Sequence, residues 1–190
     1  MANNSDDRTL VDRFKSGDQA AIEQLVLKYQ DKIYNLCRYM LQDPSNAEDA
    51  AQDTFIKAYR NLKKFTPDAS FSTWLYRIAV NTCLDYRKKP FFESLFKSTA
   101  EGDIYLIEQM SDRPSPDRLY ESKQMGHALQ KSLTLLSPKL RAVIILKEIE
   151  GLSYEEIAEV LDTSIGTVKS RISRAREEFR KLMEEFREQK

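Results

Sequence analysis

Glycine and proline are scarce in this chain of 190 residues, 5 and 6 respectively, and with them the turns that a many-stranded sheet would need. Beside a charged fraction of 32%, that scarcity predicts an all-α protein. No apolar run approaches the roughly 18 residues of a membrane span, and Met1 to Asp7 are polar and acidic rather than basic and then apolar. A cytoplasmic chain is expected. The single histidine, His127, and the two widely separated cysteines, Cys37 and Cys83, have no metal-binding spacing, and no glycine-rich phosphate cradle occurs. The sequence thus predicts no catalytic residue, no metal, no cofactor and no small-molecule substrate, so the chain is not read as an enzyme. Each cysteine sits among apolar residues of a helical pattern, which predicts a reduced packing role, with redox sensing or a disulfide as the alternatives.

Net charge is also missing, at zero, yet its distribution is informative. Residues 1–89 carry 14 basic and 12 acidic side chains, residues 90–122 carry 3 and 7, and residues 123–190 carry 13 and 11. An acidic middle cancels two mildly basic ends. A polyanion feels local fields within a Debye length of about 8 Å, not the total.

Apolar residues recur at helical spacing from Leu10 and Phe14 through Ile22, Leu25, Val26, Tyr29, Ile33, Leu36, Cys37 and Met40, a first helical hairpin. A second helix is expected from Asn46 to Leu62, with Ser45 and Asn46 as caps, and a third from Ser70 to Lys89, stopped by Pro90. Residues 1–89 then form one domain. Residues 90–118 hold three of the six prolines and no sustained period, and are read as a linker with a short helix near Ile104 to Met110. A second domain, 119–190, opens with Leu129, Leu133 and Leu136 on one face and a helix beginning at Pro138. There Ser153-Tyr154-Glu155-Glu156 spells a capping box. The turn Asp162-Thr163-Ser164 leads into a last helix that runs to Phe186.

Between Thr163 and Arg176 stand Lys169, Arg171, Arg174 and Arg176 and no acid. Val168 and Ile172 pack inward, while Lys169, Ser173 and Arg176 form an outward stripe that Ser170 and Arg174 adjoin. A short turn followed by such a helix suits a DNA major groove, where cations meet guanine edges and phosphates. The alternative is a solvated basic face. In the N-terminal half, Ala47, Ala51, Phe55, Ala58 and Leu62 make an inward stripe and leave Asp49, Gln52, Asp53, Ile56 and Arg60 on an acidic face with one apolar residue, which by pattern alone reads as a solvated helix surface or as a docking face. On the third helix Phe71, Leu75, Ile78 and Thr82 face the core, and Trp74, Arg77, Asn81, Asp85 and Lys88 line another side. An aromatic, an amide and cations on one face suit an unstacked single strand. The alternative is that Trp74 is simply core and Asn81 a satisfied helix residue.

The segments Gly151-Leu152-Ser153-Tyr154-Glu155-Glu156-Ile157-Ala158, Gly166-Thr167-Val168-Lys169-Ser170-Arg171 and Arg174-Ala175-Arg176 resemble region 4 of extracytoplasmic-function sigma factors. LuxR-type output domains carry a similar helix-turn-helix, so this half alone leaves both open. Asp49-Ala50-Ala51-Gln52-Asp53-Thr54-Phe55 and Phe71-Ser72-Thr73-Trp74-Leu75-Tyr76-Arg77-Ile78-Ala79-Val80-Asn81 resemble sigma region 2, and the pair is specific.

The resemblance implies two small helical domains and core RNA polymerase as partner. The Asp49 to Arg60 face would dock on the clamp helices of the largest subunit, and region 4 would sit beside the flap of the second largest. Promoter DNA would be single-stranded at the −10 element, met by Asn81, Trp74 and the Phe65 to Ser70 loop with the third helix. At the −35 element it would be duplex, met by Thr167, Lys169, Ser170, Arg171, Ser173, Arg174 and Arg176. An anti-sigma factor, membrane-associated or soluble, would hold the protein inactive. A duplex-binding dimeric regulator and a helical adaptor are the rival readings.

Overall fold

The computed structural model describes residues 2–66, 70–88, 126 and 128–188, with the side chains of 6–66, 70–87, 126 and 128–186. The linker with the short helix expected in it, residues 67–69 of the expected −10 loop, His127 and the Lys88 side chain lie outside the described residues. Helices α1 (Ala2–Lys15), α2 (Ala20–Met40), α3 (Pro44–Asn61) and α4 (Phe71–Lys88) form the N-terminal half, with one 3-10 turn, Leu62–Lys64, after α3. In the C-terminal half α5 (128–135) precedes α6 (Pro138–Ile144), which widens into a π turn at Ile145–Ile149, then α7 (Tyr154–Val160) and α8 (Ile165–Glu188). Among the described residues there is no strand.

Local chemistry sets the helix starts. Asp43 caps α3, its carboxylate accepting from the Asn46 amide at 2.7 Å, and Pro44 occupies the first position. This corrects the expected caps Ser45 and Asn46. Proline preferentially opens a helix because its fixed φ fits and no amide is lost, which puts the cap at the residue just before Pro44. The expected box on α7 is present in both directions, Glu156 N to Ser153 Oγ at 3.1 Å and Ser153 N to Glu156 Oε2 at 2.8 Å. Gly151 supplies a φ of +70° just before it, where a side chain would be strained.

Helix α2 runs through the N-terminal core, with Leu25, Ile33, Leu36, Cys37 and Met40 buried. Cys37 and Cys83 are free thiols, both buried, as expected. Asp7 of α1 is buried as well, its carboxylate taking the Tyr29 hydroxyl and the Lys28 ammonium. A buried carboxylate needs such donors, so the triad pins α1 to α2. Leu133, Leu136, Val143, Ile145, Leu146, Ile157, Val168, Ile172 and Ala175 make the second core.

The two halves pack together. Helix α7 lies against α4, where Arg77 donates to the Glu159 carbonyl and the Tyr76 hydroxyl to the Glu150 carboxylate. Gln130 donates to the Arg38 carbonyl at 2.8 Å. Arg141 is 1% exposed and gives Nη1 to the Met40 carbonyl at 2.7 Å and Nη2 to the carbonyls of Leu136, at 3.2 Å, and Thr134. Burial, then the nearby Arg87, pushes its pKa down to about 10, still cationic near neutral pH. Met40 ends α2, so a cation from one half caps the negative pole of a helix in the other.

Candidate nucleic-acid interface

A cavity of about 400 Å³ opens between the end of α3 and α4. Its walls are Trp74, Ile78, Asn81 and Thr82 from α4, Lys57 and Asn61 from α3, and Lys64 and Phe65 beyond it. Phe65 is 9% exposed. Its ring packs on Trp74 at 5.0 Å and on Phe71 at 6.2 Å, and its carbonyl accepts from Lys15 at 2.6 Å. Trp74 is half-buried, and its ring also meets Phe71 at 5.8 Å. Phe65 and Trp74 are therefore a fixed aromatic wall more than free stacking plates. Asn81 is exposed on the rim, as is Asp85 one turn on. Ser70 caps α4, its hydroxyl accepting from the Thr73 amide at 3.0 Å. Arg77 is half-buried under α7, and its Nε is buried without a hydrogen-bond partner among the described residues.

Ile78 and Thr82, read as core-facing, also line the wall, and three wall residues escaped the sequence reading altogether: Lys57, Asn61 and Lys64. They recur at spacings of four and three, a polar stripe off the acidic face, which was the available signal. Lys57 donates to Thr82 at 3.0 Å, which ties α3 to α4 across the cavity floor, and the Asn61 amide nitrogen donates to the Lys57 carbonyl at 2.8 Å. That leaves the Asn61 carbonyl oxygen as an acceptor.

On α8, Lys169, Ser170, Ser173, Arg174 and Arg176 are exposed, Thr167 and Arg171 are half-buried, and Val168 and Ile172 are buried as expected. Ser164 caps the helix, accepting from the Thr167 amide at 3.2 Å. Lys169 lies 5.9 Å from the Tyr154 ring and Lys147 lies 4.9 Å from it. Arg176 is engaged in a two-pronged pair with Glu148, Nε at 2.9 Å and Nη2 at 2.6 Å from Oε1.

On α3, Asp49, Gln52, Ile56 and Arg60 are exposed, and Asp53 is half-buried because the Tyr86 hydroxyl donates to it. Ala47, Ala51, Ala58 and Leu62 are buried and Phe55 is partly buried, as the stripe predicts. Beside this face an apolar groove of about 850 Å³ runs between α2 and α3. Leu27, 67% exposed, and Tyr59, 49% exposed, line it with Ile56.

Residues 25–90 match the family described as Sigma-70 region 2, and residues 126–179 the one described as Sigma-70, region 4. The RNA polymerase sigma-H factor of Pseudomonas aeruginosa is 40% identical over 97% of this chain and 97% of its own. The ECF RNA polymerase sigma factor SigW of Bacillus subtilis is 40% identical over 93% of this chain and 96% of its own. The chain belongs to the ECF sigma factors. A solved structure of the Bartonella quintana sigma factor RpoE in complex with the anti-sigma factor NepR covers 85% of this ECF sigma factor. Its TM-score is 0.66 and its identity 27%. The cavity and the acidic α3 face both fall within the region 2 match, and the cationic face of α8 within the region 4 match. Helix α1, whose Lys15 holds the aromatic wall, lies before either match.

Proposed function

We propose that this ECF sigma factor docks on core RNA polymerase through Asp49, Gln52, Asp53, Ile56 and Arg60. In the same reading it captures an unpaired base of the −10 element in the α3–α4 cavity and reads the −35 duplex with α8. The observation that carries the reading is the cavity, where an aromatic wall, amides at Asn61 and Asn81 and two lysines meet on one chain with an exposed cationic helix. An extruded base needs a stacking surface and hydrogen bonds to its Watson–Crick edge, and its flanking phosphates need cations. Domain bounds of 1–89, 90–118 and 119–190 follow from the same reading. The protein works in the cytoplasm as an initiation factor, while nucleotide chemistry belongs to the polymerase. Among the described residues no helix is long and apolar enough to cross a membrane.

Packing of α7 against α4 occupies Arg77 and so competes with strand capture. Chain-wide likeness to a sigma factor solved with its anti-sigma factor supports reading this arrangement as the held state, with an anti-sigma factor as its keeper. The test is reconstitution: purified chain is added to core polymerase on genomic DNA and transcript starts are sequenced. Starts clustered behind one shared pair of upstream elements are expected. A chain that neither co-purifies with core polymerase nor directs starts, yet shifts promoter duplex alone as a dimer, would replace this reading with that of a regulator.

A further inference from the structure

The π turn between α6 and α7 does something the helix-turn-helix does not require. Its wide bonding, Glu150 N to Ile145 O at 3.1 Å and Leu152 N to Leu146 O at 3.0 Å, brings Glu148 to α8. The carboxylate there takes two donors of Arg176, and the paired side chains remain 46% and 53% exposed. Arg176 stands at the start of the fourth turn of α8, whereas base readers lie near the start of a recognition helix. A cation at this position would ordinarily add one phosphate contact to any duplex. We infer that Glu148 is a positioning residue that holds Arg176 away from the DNA backbone, and so sets the strength of sequence-independent duplex binding. The inference rests on the reading of α8 as the duplex-binding helix.

Neutralising Glu148 without changing its shape frees the guanidinium for phosphate. The gain goes to every sequence alike, because a phosphate carries no base identity. One added contact steepens the log–log dependence of affinity on salt by about one, so the loss of affinity from about 50 to 200 mM salt grows roughly fourfold.

The experiment titrates the full chain against two duplexes of unrelated sequence across that salt range, since the outward face of α8 is exposed in this arrangement. Glu148→Gln should bind both duplexes more tightly by the same factor and with the steeper slope. Glu148→Asp should return to the wild-type slope, a rescue that a role in folding alone would not show. Arg176→Ala should keep the wild-type slope, and adding Glu148→Gln to it should give no further gain. A slope for Arg176→Ala shallower by one overturns the inference without recourse to Glu148. So does a Glu148→Gln protein no tighter than wild type, or a gain that persists in the double variant. Wild-type protein that binds no duplex at any salt would instead remove the α8 reading beneath it.

Discussion

Tyr86 on α4 gives its hydroxyl to the Asp53 carboxylate on α3 at 2.8 Å, so a residue of the candidate polymerase face also braces the helix that lines the strand cavity. Burial first, then Asp53, pushes the tyrosine pKa well up, and the hydroxyl stays a donor across the physiological range. Charge reversal therefore has different consequences at two neighbouring acids. Asp49→Lys, at an exposed position, should slow association with core polymerase and change its salt dependence with an unaltered melting temperature. Asp53→Lys should weaken polymerase binding and also cost about 1 kcal/mol of stability, or roughly 2–4 °C. Tyr86→Phe should reproduce only the second effect. Calorimetry and surface-immobilised core polymerase measure both, and equal melting temperatures for all three variants would show the brace to be idle.

Asn81 on the cavity rim should matter for opening DNA rather than for finding it. Asn81→Ala is expected to slow open-complex formation on duplex promoters while polymerase binding stays unchanged. A mismatched bubble over the −10 element should restore much of the rate, because unpairing a base costs a few kcal/mol that the bubble supplies in advance. Permanganate footprints on both templates decide it. An equal defect on the two would assign Asn81 to folding or docking.

Lys169→Ala and Arg174→Ala should each reduce use of the upstream element, from exposed positions on α8. A base contact costs about 1–3 kcal/mol at one position, whereas a phosphate contact weakens all sequences alike and lowers the salt slope by about one. Transcription from promoters randomised across the −35 element distinguishes the two. Unchanged yield and unchanged base preference in both variants would rule α8 out as the reader.

Packing of the two halves should tighten in mild acid. Burial holds the Glu150 carboxyl above its ordinary value of 4.5, against the opposing Tyr76 hydroxyl and Lys32 charge. The packed form thus binds the proton more tightly than the open form does. Its stability is highest below the ordinary value and falls as pH rises through the raised one. Small-angle scattering of the full chain at about pH 5 and pH 8 should show the smaller radius at the lower pH, and Glu150→Gln should remove the difference. A radius that is independent of pH in wild type would refute the linkage.

Periodicity made the helix faces legible. Val168 and Ile172 on α8 and the alanine stripe of α3 are buried where a spacing of three and four puts them. The capping box at Ser153 was legible for the same local reason, since its partners lie three residues apart. Lys57, Asn61 and Lys64 were not, because a polar stripe on a helix has solvent as its default partner until a cavity is seen beside it. Nor could the sequence pair Tyr76 with Glu150 or Arg77 with the Glu159 carbonyl, contacts 74 and 82 residues apart that no local pattern encodes. The π turn was also hidden: Val143 to Leu146 read equally well as ordinary helix, and the extra residue per turn shows only in its bonding.

Arg141 gives the separation of the halves an osmotic character. It is a buried cation with carbonyl partners from both sides of the junction, and its Nε has no hydrogen-bond partner among the described residues. Parting the halves must therefore wet a guanidinium and the end of α2 in one step, and the water drawn in becomes a reactant of the opening. Solutes excluded from protein surfaces hold such a junction shut in proportion to the surface that opening would wet. Separation of the halves is therefore expected to become harder as excluded solute is added, and water activity joins pH as a condition that sets the balance between packed and parted forms.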